Sequence, residues 1–154
     1  MTYYDKISEG YNELHKEEQL KKVKIIIKEL NIKRTEKILD VGCGTAFYSN
    51  LLKNYTGVDP SKGMLKQSKA NVIQASAENL PFKDNEFDVV ISITAAQNFK
   101  DLKKATKEIK RVAKKKIAIS ILKRSKKLSE LKNLLKDFKM LEEDKDIIFL
   151  KKNL

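Results

Sequence analysis

Two glycines separated by one residue follow an apolar run, and this arrangement suits the binding of a ligand. The run from Lys37 to Tyr48, KILDVGCGTAFY, predicts a strand, a tight turn and the start of a helix. Gly42 and Gly44 permit backbone torsions that a side chain would forbid, and they let the backbone approach a ligand closely. A helix expected over 46–54 would add free amide groups. The alternative is a turn that only links strand to helix.

Two aspartates accompany this turn. Asp40 lies two residues before the first glycine, where a carboxylate repels a pyrophosphate but suits a cation such as an amino group or a sulfonium. Position 47 is Phe, so the dinucleotide-binding fingerprint Gly-x-Gly-x-x-Gly is not met. Asp59 ends the next predicted strand, which begins at Tyr55. In nucleotide-binding α/β folds the second strand ends beside the first turn. This carboxylate can therefore accept hydrogen bonds from both hydroxyls of a ribose.

The segment Asp40-Val-Gly-Cys-Gly-Thr-Ala46 resembles the first motif of the class I S-adenosylmethionine (SAM) dependent methyltransferases, which runs acid-x-Gly-x-Gly-x-Gly. Ala46 stands where the third glycine is usual and adds one methyl group. The leader around Tyr4 and Tyr11 is similar to that of the quinone-biosynthesis-type group, in which such a segment folds over the cofactor. The resemblance therefore implies SAM as the cofactor, with both tyrosines at its site. A docked tail without function is the alternative for the leader.

Further parts of the cofactor site follow from the same resemblance. Met64, shortly after Asp59, corresponds to a methionine that commonly lies against adenine, although a core position is the alternative. Ser76-Ala-Glu-Asn-Leu-Pro-Phe82 is similar to the family segment Asp-Ala-Glu-x-Leu-Pro-Phe, whose first acid lies near the adenine amine. Ser76 would bond that amine more weakly than a carboxylate, and the Ala77 amide and Glu78 remain to bind the ring. Ile93, at the end of the fourth predicted strand, completes the expected site.

The loop after this fourth strand is the expected place for the methyl acceptor, because open α/β sheets hold their ligands at the carboxyl ends of strands. Amine-directed nucleic acid methyltransferases typically carry Asp/Asn/Ser-Pro-Pro-Phe/Tyr here, and this loop contains no proline. The amides of Gln97 and Asn98 could hold an exocyclic amine, and Phe99 could stack on a base. The alternative is an ordinary loop whose Phe packs inward.

The chemistry of methyl transfer leaves the acceptor atom open. Displacement at a sulfonium acts on an activated donor, so catalysis can depend on positioning and on the exclusion of water, without a dedicated nucleophile. An amine acceptor needs hydrogen-bond acceptors that steer its lone pair, such as Asn98. A hydroxyl acceptor more often needs a base, for which His15 is the one candidate that titrates near neutral pH. We expect His15 on a helix surface.

Alternating strands and helices predict a doubly wound α/β sheet in a single domain over 1–154. The resemblance covers essentially the whole chain and implies a Rossmann-like seven-stranded sheet in the order 3-2-1-4-5-7-6, with the last strand antiparallel. It also implies that residues 1–30, which include a helix from Lys16 to Leu30, cover the cofactor site. We expect a further helix capped by Ser125 and a closing hairpin.

Charge points to a polyanionic partner. The chain carries 33 Lys and Arg against 21 Asp and Glu, for a net charge of +12. The basic residues of one predicted helix share a face: Lys100, Lys103, Lys104, Lys107, Lys110, Arg111 and Lys114. A thermophile composition is the alternative, but such a helix usually alternates charge signs. The prediction is an RNA methyltransferase. A small-molecule methyltransferase and a SAM-binding partner subunit without activity remain open.

Cysteine and histidine content bounds the chemistry further. Cys43 has no partner for a disulfide, and together with His15 it cannot build a zinc site. The amino terminus lacks an apolar signal core, and no apolar run has membrane-spanning length. We therefore expect a cytoplasmic protein without a metal.

Overall fold

Seven strands form one sheet in a computed structural model, which describes the backbone of residues 9–154 and the side chains of residues 13–154. The strands are β1 Ile38–Val41, β2 Tyr55–Asp59, β3 Val72–Gln74, β4 Phe87–Ser92, β5 Ala113–Leu122, β6 Lys139–Glu143 and β7 Asp146–Lys151. Their order is β3-β2-β1-β4-β5-β7-β6, and β7 pairs antiparallel with both neighbours. The predicted sheet order and the closing hairpin are confirmed.

Helices cover both faces of the sheet. They are α1 Glu9–Glu29, α2 Lys62–Lys66, α3 Leu102–Val112 and α4 Leu128–Leu134. On one face, Val23, Ile26 and Leu30 pack against residues of β1, β4, β5 and β7. On the other face, α3 and α4 pack against the alternate residues of the same strands. The central strands are therefore apolar almost without interruption, as expected for parallel strands that are buried on both sides.

The prediction of a helix over 46–54 is wrong. After the glycine turn the chain forms only a 3-10 turn, Ser49–Leu51. Ala46 and Asn54 adopt φ values of 52° and 52°, in the left-handed region, which takes the backbone out of a right-handed helix at both ends of the segment. Tyr48 between them is buried beneath the turn. The turn therefore lacks the helix amino terminus that the sequence suggested as a source of free amides.

Several helix ends also differ from expectation. The first helix, predicted over Lys16 to Leu30, is Glu9–Glu29. Ser125 does not cap α4, which begins at Leu128; its hydroxyl accepts from the Lys127 amide at 3.1 Å within the preceding turn. For α3 the cap is Asp101, whose Oδ1 accepts from the Lys104 amide at 3.0 Å. Lys100 consequently precedes this helix, and Lys114 belongs to β5.

The path of α1 brings its first turns beside the carboxyl edge of the sheet, which is the side where the parallel strands β1 to β5 end. At the amino edge, Lys116 Nζ donates to the Asn31 carbonyl at 2.8 Å, just after α1 ends. At the carboxyl edge, Glu18 pairs with Lys145 at 3.1 Å in the turn between β6 and β7. The turns before Glu18 therefore extend past this edge by about 13 Å, at 1.5 Å per residue. We call residues 9–18 the α1 wall.

Among residues 9–154, no helix combines the length and the apolar composition that crossing a membrane requires.

Candidate functional site

The glycine turn after β1 is shaped by close backbone approach. Gly42 and Gly44 have φ values of 78° and 57°, and the amides of Gly42 and Cys43 donate to the Val58 carbonyl at 2.8 and 2.9 Å. A Cβ on Gly42 would lie 2.6 Å from the Cβ of Ala95. A Cβ on Gly44 would lie 3.3 Å from Cε of Met64. The turn thus lies between the loop after β4 and the end of the Met64 side chain.

Asp59 fastens this turn to the end of β2. Its Oδ2 accepts from the Gly44 amide at 2.9 Å, and its Oδ1 accepts from the Ser61 amide at 2.9 Å. The carboxylate is only half-buried. Because each oxygen can accept more than one hydrogen bond, both retain capacity for hydroxyl donors of a ligand. The structure therefore brings together Asp59, Gly44 and Met64 at the carboxyl edge of the sheet.

Asp40 lies beneath the turn, inside the protein. It is fully buried, and its Oδ2 accepts from the hydroxyls of Tyr48 and Tyr55, each at 2.5 Å. Its Oδ1 is buried without a hydrogen-bond partner in the described structure. Burial raises the pKa of this carboxyl from 3.8 to about 6, against the opposing effect of the two tyrosine hydroxyls. The carboxylate is thus directed toward the two tyrosines rather than toward solvent.

The residues expected around adenine lie along the segment after β3. The Ala75 amide donates to the Asp59 carbonyl at 3.2 Å, which fixes this segment beside the end of β2. Ser76 and Asn79 form a short bridge, and Ala77 is buried. Glu78 Oε2 accepts from the Asp101 amide at 3.2 Å, so its carboxylate already contacts the start of α3.

The loop after β4 has an unusual conformation at Thr94. Its φ is 50°, in the left-handed region that a β-branched residue rarely adopts. The Thr94 amide donates to Ser120 Oγ at 2.8 Å, and the Thr94 hydroxyl donates to Asp146 Oδ2 at 2.7 Å. The same hydroxyl accepts from Lys22 Nζ at 3.0 Å. Contacts from α1, β5 and β7 therefore fix the point where β4 ends, next to Ile93.

The three side chains singled out in this loop point in different directions. Gln97 Nε2 donates to the Thr94 carbonyl at 2.7 Å, while its Oε1 is buried and finds no partner in the part of the chain that the structure describes. Asn98 is exposed. Phe99 is 8% exposed and packs in the core beneath Gly42. The stacking role suggested for Phe99 is therefore wrong, because its ring is covered, and the alternative of an inward-packed Phe is correct.

The basic face of α3 is smaller than predicted. Arg111 is wrongly assigned to it, because Nε donates to Glu108 at 2.6 Å and Nη1 to Asp84 at 2.9 Å. The guanidinium also donates to the carbonyls of Leu80 and Phe82, so it holds the segment before β4. Lys110 Nζ donates to the Leu134 carbonyl at 3.0 Å. The lysines that remain exposed and form no ion pair within the described residues are Lys100, Lys103, Lys104, Lys107 and Lys114.

Two further predictions concern the amino-terminal region. Tyr4 lies outside the described residues, and Tyr11 lies where only the backbone of α1 is described. The His15 side chain is largely exposed. The part of it that is buried lowers the pKa of the imidazole from 6.5, and the nearby charge of Lys22 lowers it further. The imidazole is therefore neutral at pH 7. Within residues 13–154, no group of His, Cys, Asp and Glu side chains is placed to hold a metal ion.

Sequence reasoning missed Lys22 and Asp146, the buried pair next to Thr94. Their side chains are 4% and 0% exposed, and Lys22 Nζ lies 3.0 Å from Asp146 Oδ1. One signal for Lys22 was present, because it is four residues before Ile26 and therefore on the apolar face of α1. Asp146 gave no such signal, since it follows an acidic turn in which a solvated carboxylate is ordinary.

Comparisons with known proteins show which family the chain resembles. The family model described as a methyltransferase domain matches residues 39–121. An uncharacterised protein of Methanocaldococcus jannaschii is 40% identical over 116 residues, which are 73% of this chain and 46% of that protein. The demethylmenaquinone methyltransferase of Thermotoga maritima is 32% identical over 140 residues, covering 79% of this chain and 60% of that protein. The chain spans about half the length of the curated relatives it matches.

A solved structure has the same fold. The crystal structure of a candidate SAM-dependent methyltransferase of Methanococcus maripaludis superposes with a TM-score of 0.76 at 16% identity. The superposition covers 88% of this chain and 84% of that one.

Proposed function

Since the chain belongs to the methyltransferase domain family, we propose that it binds SAM at the carboxyl edge of β1 and β2 and transfers the methyl group to an acceptor at the loop after β4. The observation that carries this proposal is the position of Asp59. Its half-buried carboxylate ends β2 and bonds the amide of Gly44, so it lies against the glycine turn with acceptor capacity to spare. That is the arrangement a ribose diol requires.

The described residues fit SAM in shape as well as in chemistry. Gly44 leaves open the space that a side chain would fill, and the exposed end of Met64 borders that space as an apolar, adaptable surface for adenine. Ala77 and Glu78 lie on the neighbouring segment and are proposed to bind the ring. Asp40 would act from below the turn, where its buried charge favours a cation above it. Ile93 borders the site at the end of β4.

When bound, SAM supplies a methyl group that its sulfonium activates for displacement. The chain therefore has to orient the acceptor and exclude water rather than provide a nucleophile. Asn98 is the exposed amide of the acceptor loop and is proposed to orient the acceptor atom. Gln97 is proposed to shape the loop through its bond to Thr94, and its unpaired Oε1 leaves a hydrogen-bond acceptor at this position.

We propose RNA as the acceptor, on the strength of the exposed lysines of α3. This helix begins at Asp101, beside Glu78 of the cofactor segment, and runs away from the site for about 16 Å. Its unpaired lysines could therefore hold phosphates of a strand whose base reaches the loop after β4. Tyr4 and the α1 wall, which includes Tyr11, are proposed to cover the cofactor.

A small-molecule acceptor is the second candidate. The α1 wall favours it, because a helix that extends past the carboxyl edge would enclose a small acceptor. One of the relatives is named a demethylmenaquinone methyltransferase, so its name specifies an acceptor other than RNA.

Two measurements test the proposal. Titration calorimetry with SAM should give binding to the parent protein, and Asp59→Ala should bind at least tenfold more weakly. The reason is that two charge-assisted hydrogen bonds to the ribose are removed, at about 1.5 to 3 kcal/mol each. Ser61→Ala is the matched control, because it removes the cap of α2 but keeps the backbone amide that Asp59 accepts from; its affinity should stay within about twofold. Equal affinities for the parent and a folded Asp59→Ala would exclude the ribose assignment.

The acceptor is tested by incubating the protein with labelled SAM and total RNA, with a metabolite extract in parallel. Label in RNA supports the first candidate. Label only in the metabolite fraction selects the second, and SAM binding without label in either fraction would contradict methyl transfer by this chain alone.

A further inference from the structure

A closed set of hydrogen bonds and an ion pair joins α1 to the carboxyl edge of the sheet. Lys22 Nζ lies 3.0 Å from Asp146 Oδ1 and 3.0 Å from the Thr94 hydroxyl oxygen. The Thr94 hydroxyl in turn donates to Asp146 Oδ2 at 2.7 Å. We call these three side chains the Lys22 junction. It connects a helix, a loop and the first residue of β7 at one buried point.

The junction holds Thr94 in a conformation that its side chain disfavours. A β-branched residue at φ 50° persists only when its surroundings over-determine it. Hydrogen bonds with Lys22, Asp146, Ser120 and the Gln97 amide hold Thr94 in this way. Without Lys22 the hydroxyl loses its donor, the Asp146 carboxylate loses the cation that faces it, and the backbone is free to relax.

Stability alone is a poor reason for such an arrangement. A buried ion pair gains little net free energy of folding, because the loss of hydration offsets the attraction between the charges. The surroundings of the junction are also incompletely satisfied. Among the described residues, two buried amide oxygens near it have no hydrogen-bond partner: Oε1 of Gln97 and Oε1 of Gln19, which lies one helical turn before Lys22. Backbone strain together with unpaired buried acceptors is typical of a functional site rather than of an optimised core.

We propose that Lys22 is a positioning residue for methyl transfer, which acts through Thr94 by fixing the loop 94–99 to helix α1. The inference rests on the proposed function, in which this loop holds the acceptor. The polar contacts of Lys22 are with Thr94 and Asp146, and neither of these residues is among those assigned to SAM. Loss of the junction should therefore change the geometry of the acceptor loop and leave the affinity for SAM unchanged.

Matched variants separate positioning from folding. Lys22→Met removes the ammonium and keeps an unbranched side chain of similar length, and Lys21→Met makes the same change at a neighbouring position that is 70% exposed. Thr94→Val removes both hydroxyl bonds and keeps the β-branched shape, and Thr94→Ser keeps the hydroxyl. Thr94→Val also serves if Lys22→Met fails to fold.

Three measurements are made on each full-length variant. Amide hydrogen exchange of residues 94–99 should be at least tenfold faster in Lys22→Met and Thr94→Val, with the amides of β4 unchanged. The SAM dissociation constant should stay within twofold. With the acceptor found by labelled SAM, kcat should fall at least tenfold in both variants. Lys21→Met and Thr94→Ser should resemble the parent in all three.

The remaining outcomes overturn the inference. Loop exchange and kcat that stay at the parent level in Thr94→Val would show that the junction does not set the loop. Faster exchange throughout the sheet, with kcat and SAM affinity falling together, would show a structural role only. If the parent methylates no acceptor, the acceptor proposal fails on its own, and the exchange measurement still decides whether Lys22 fixes the loop.

Discussion

Gly42 and Gly44 share a left-handed backbone but differ in what an added side chain would meet. Both alanine variants should lose about 1 to 2 kcal/mol from the positive φ. Gly42→Ala should lose about 1 to 3 kcal/mol more, because its Cβ would overlap that of Ala95, whereas Gly44→Ala would meet only the flexible end of Met64. Urea denaturation of the two variants measures the difference.

The control is Gly63→Ala, at a helical position in α2 with its nearest neighbour 3.8 Å away. It should be neutral or more stable than the parent by about 0.5 to 1 kcal/mol. Equal losses at Gly42 and Gly44 would mean that the loop after β4 moves aside freely, contrary to the close contact described.

Asp40 should make stability depend on pH. Its pKa rises from 3.8 to about 6 on folding, so the folded protein binds this proton more tightly than the unfolded chain. The resulting stability is complete below pH 3.8 and is lost as the pH rises through about 6. We expect the parent to lose about 2.5 kcal/mol relative to Asp40→Asn between pH 4 and pH 7, because the full effect is about 3 kcal/mol at 1.36 kcal/mol per pKa unit and the unfolded carboxyl is already partly ionised at pH 4. Urea denaturation of both proteins at each pH measures the difference, and a difference independent of pH would place the Asp40 charge in a solvated setting.

At the scale of elements, the lysines of α3 should govern the binding of RNA if RNA is the acceptor, as we propose. Replacing Lys103, Lys104 and Lys107 with Gln should flatten the dependence of log affinity on log salt by about 0.7 to 0.9 for each phosphate that is no longer neutralised. These side chains are exposed and form no ion pairs in the described structure, so the fold and the SAM affinity should not change. RNA binding at several salt concentrations gives the slopes.

An equal loss of charge elsewhere is the control. Lys24, Lys28 and Lys53 are also exposed and unpaired within residues 13–154, but they lie away from α3. Their Gln variants should retain the parent slope. If both triple variants flatten the slope alike, net charge and not the α3 surface attracts the RNA. A slope that neither variant changes would make the α3 lysines a thermophile's surface.

Local signals predicted most elements, and tertiary contacts decided the rest. The strand from Phe87 is apolar and β-branched, so its position could be found from the sequence, whereas the strand order came from the resemblance. The prediction of a helix over 46–54 failed because Ala46 adopts a positive φ that no local sequence signal required. The position of Asp59 at the end of a strand could be predicted from the sequence, because it follows an apolar run. The bond between Lys22 and Thr94 joins residues 72 positions apart, and single-sequence patterns carry no information about such a pair.

At the scale of the molecule, we propose that residues 1–154 fold as one domain. The two hydrophobic clusters lie on opposite faces of the same strands, so neither can form without the other. Heat should therefore unfold the chain in one cooperative transition, with an enthalpy of about 100 kcal/mol near 60 °C. Scanning calorimetry checks this through the agreement of calorimetric and van't Hoff enthalpies. Two separate transitions would indicate that α1 or the β6–β7 hairpin unfolds independently.

The two open edges of the sheet bear on self-association. β3 offers a second molecule only three residues, and very short edge strands disfavour pairing with another chain, although Ile73 at its centre is 39% exposed. β6 is longer, but it carries Lys139, Glu142 and Glu143. Charged side chains on an edge strand hinder its pairing with the edge strand of another sheet. Short length at β3 and charge at β6 therefore make both open edges of the sheet poor templates for pairing with a second molecule.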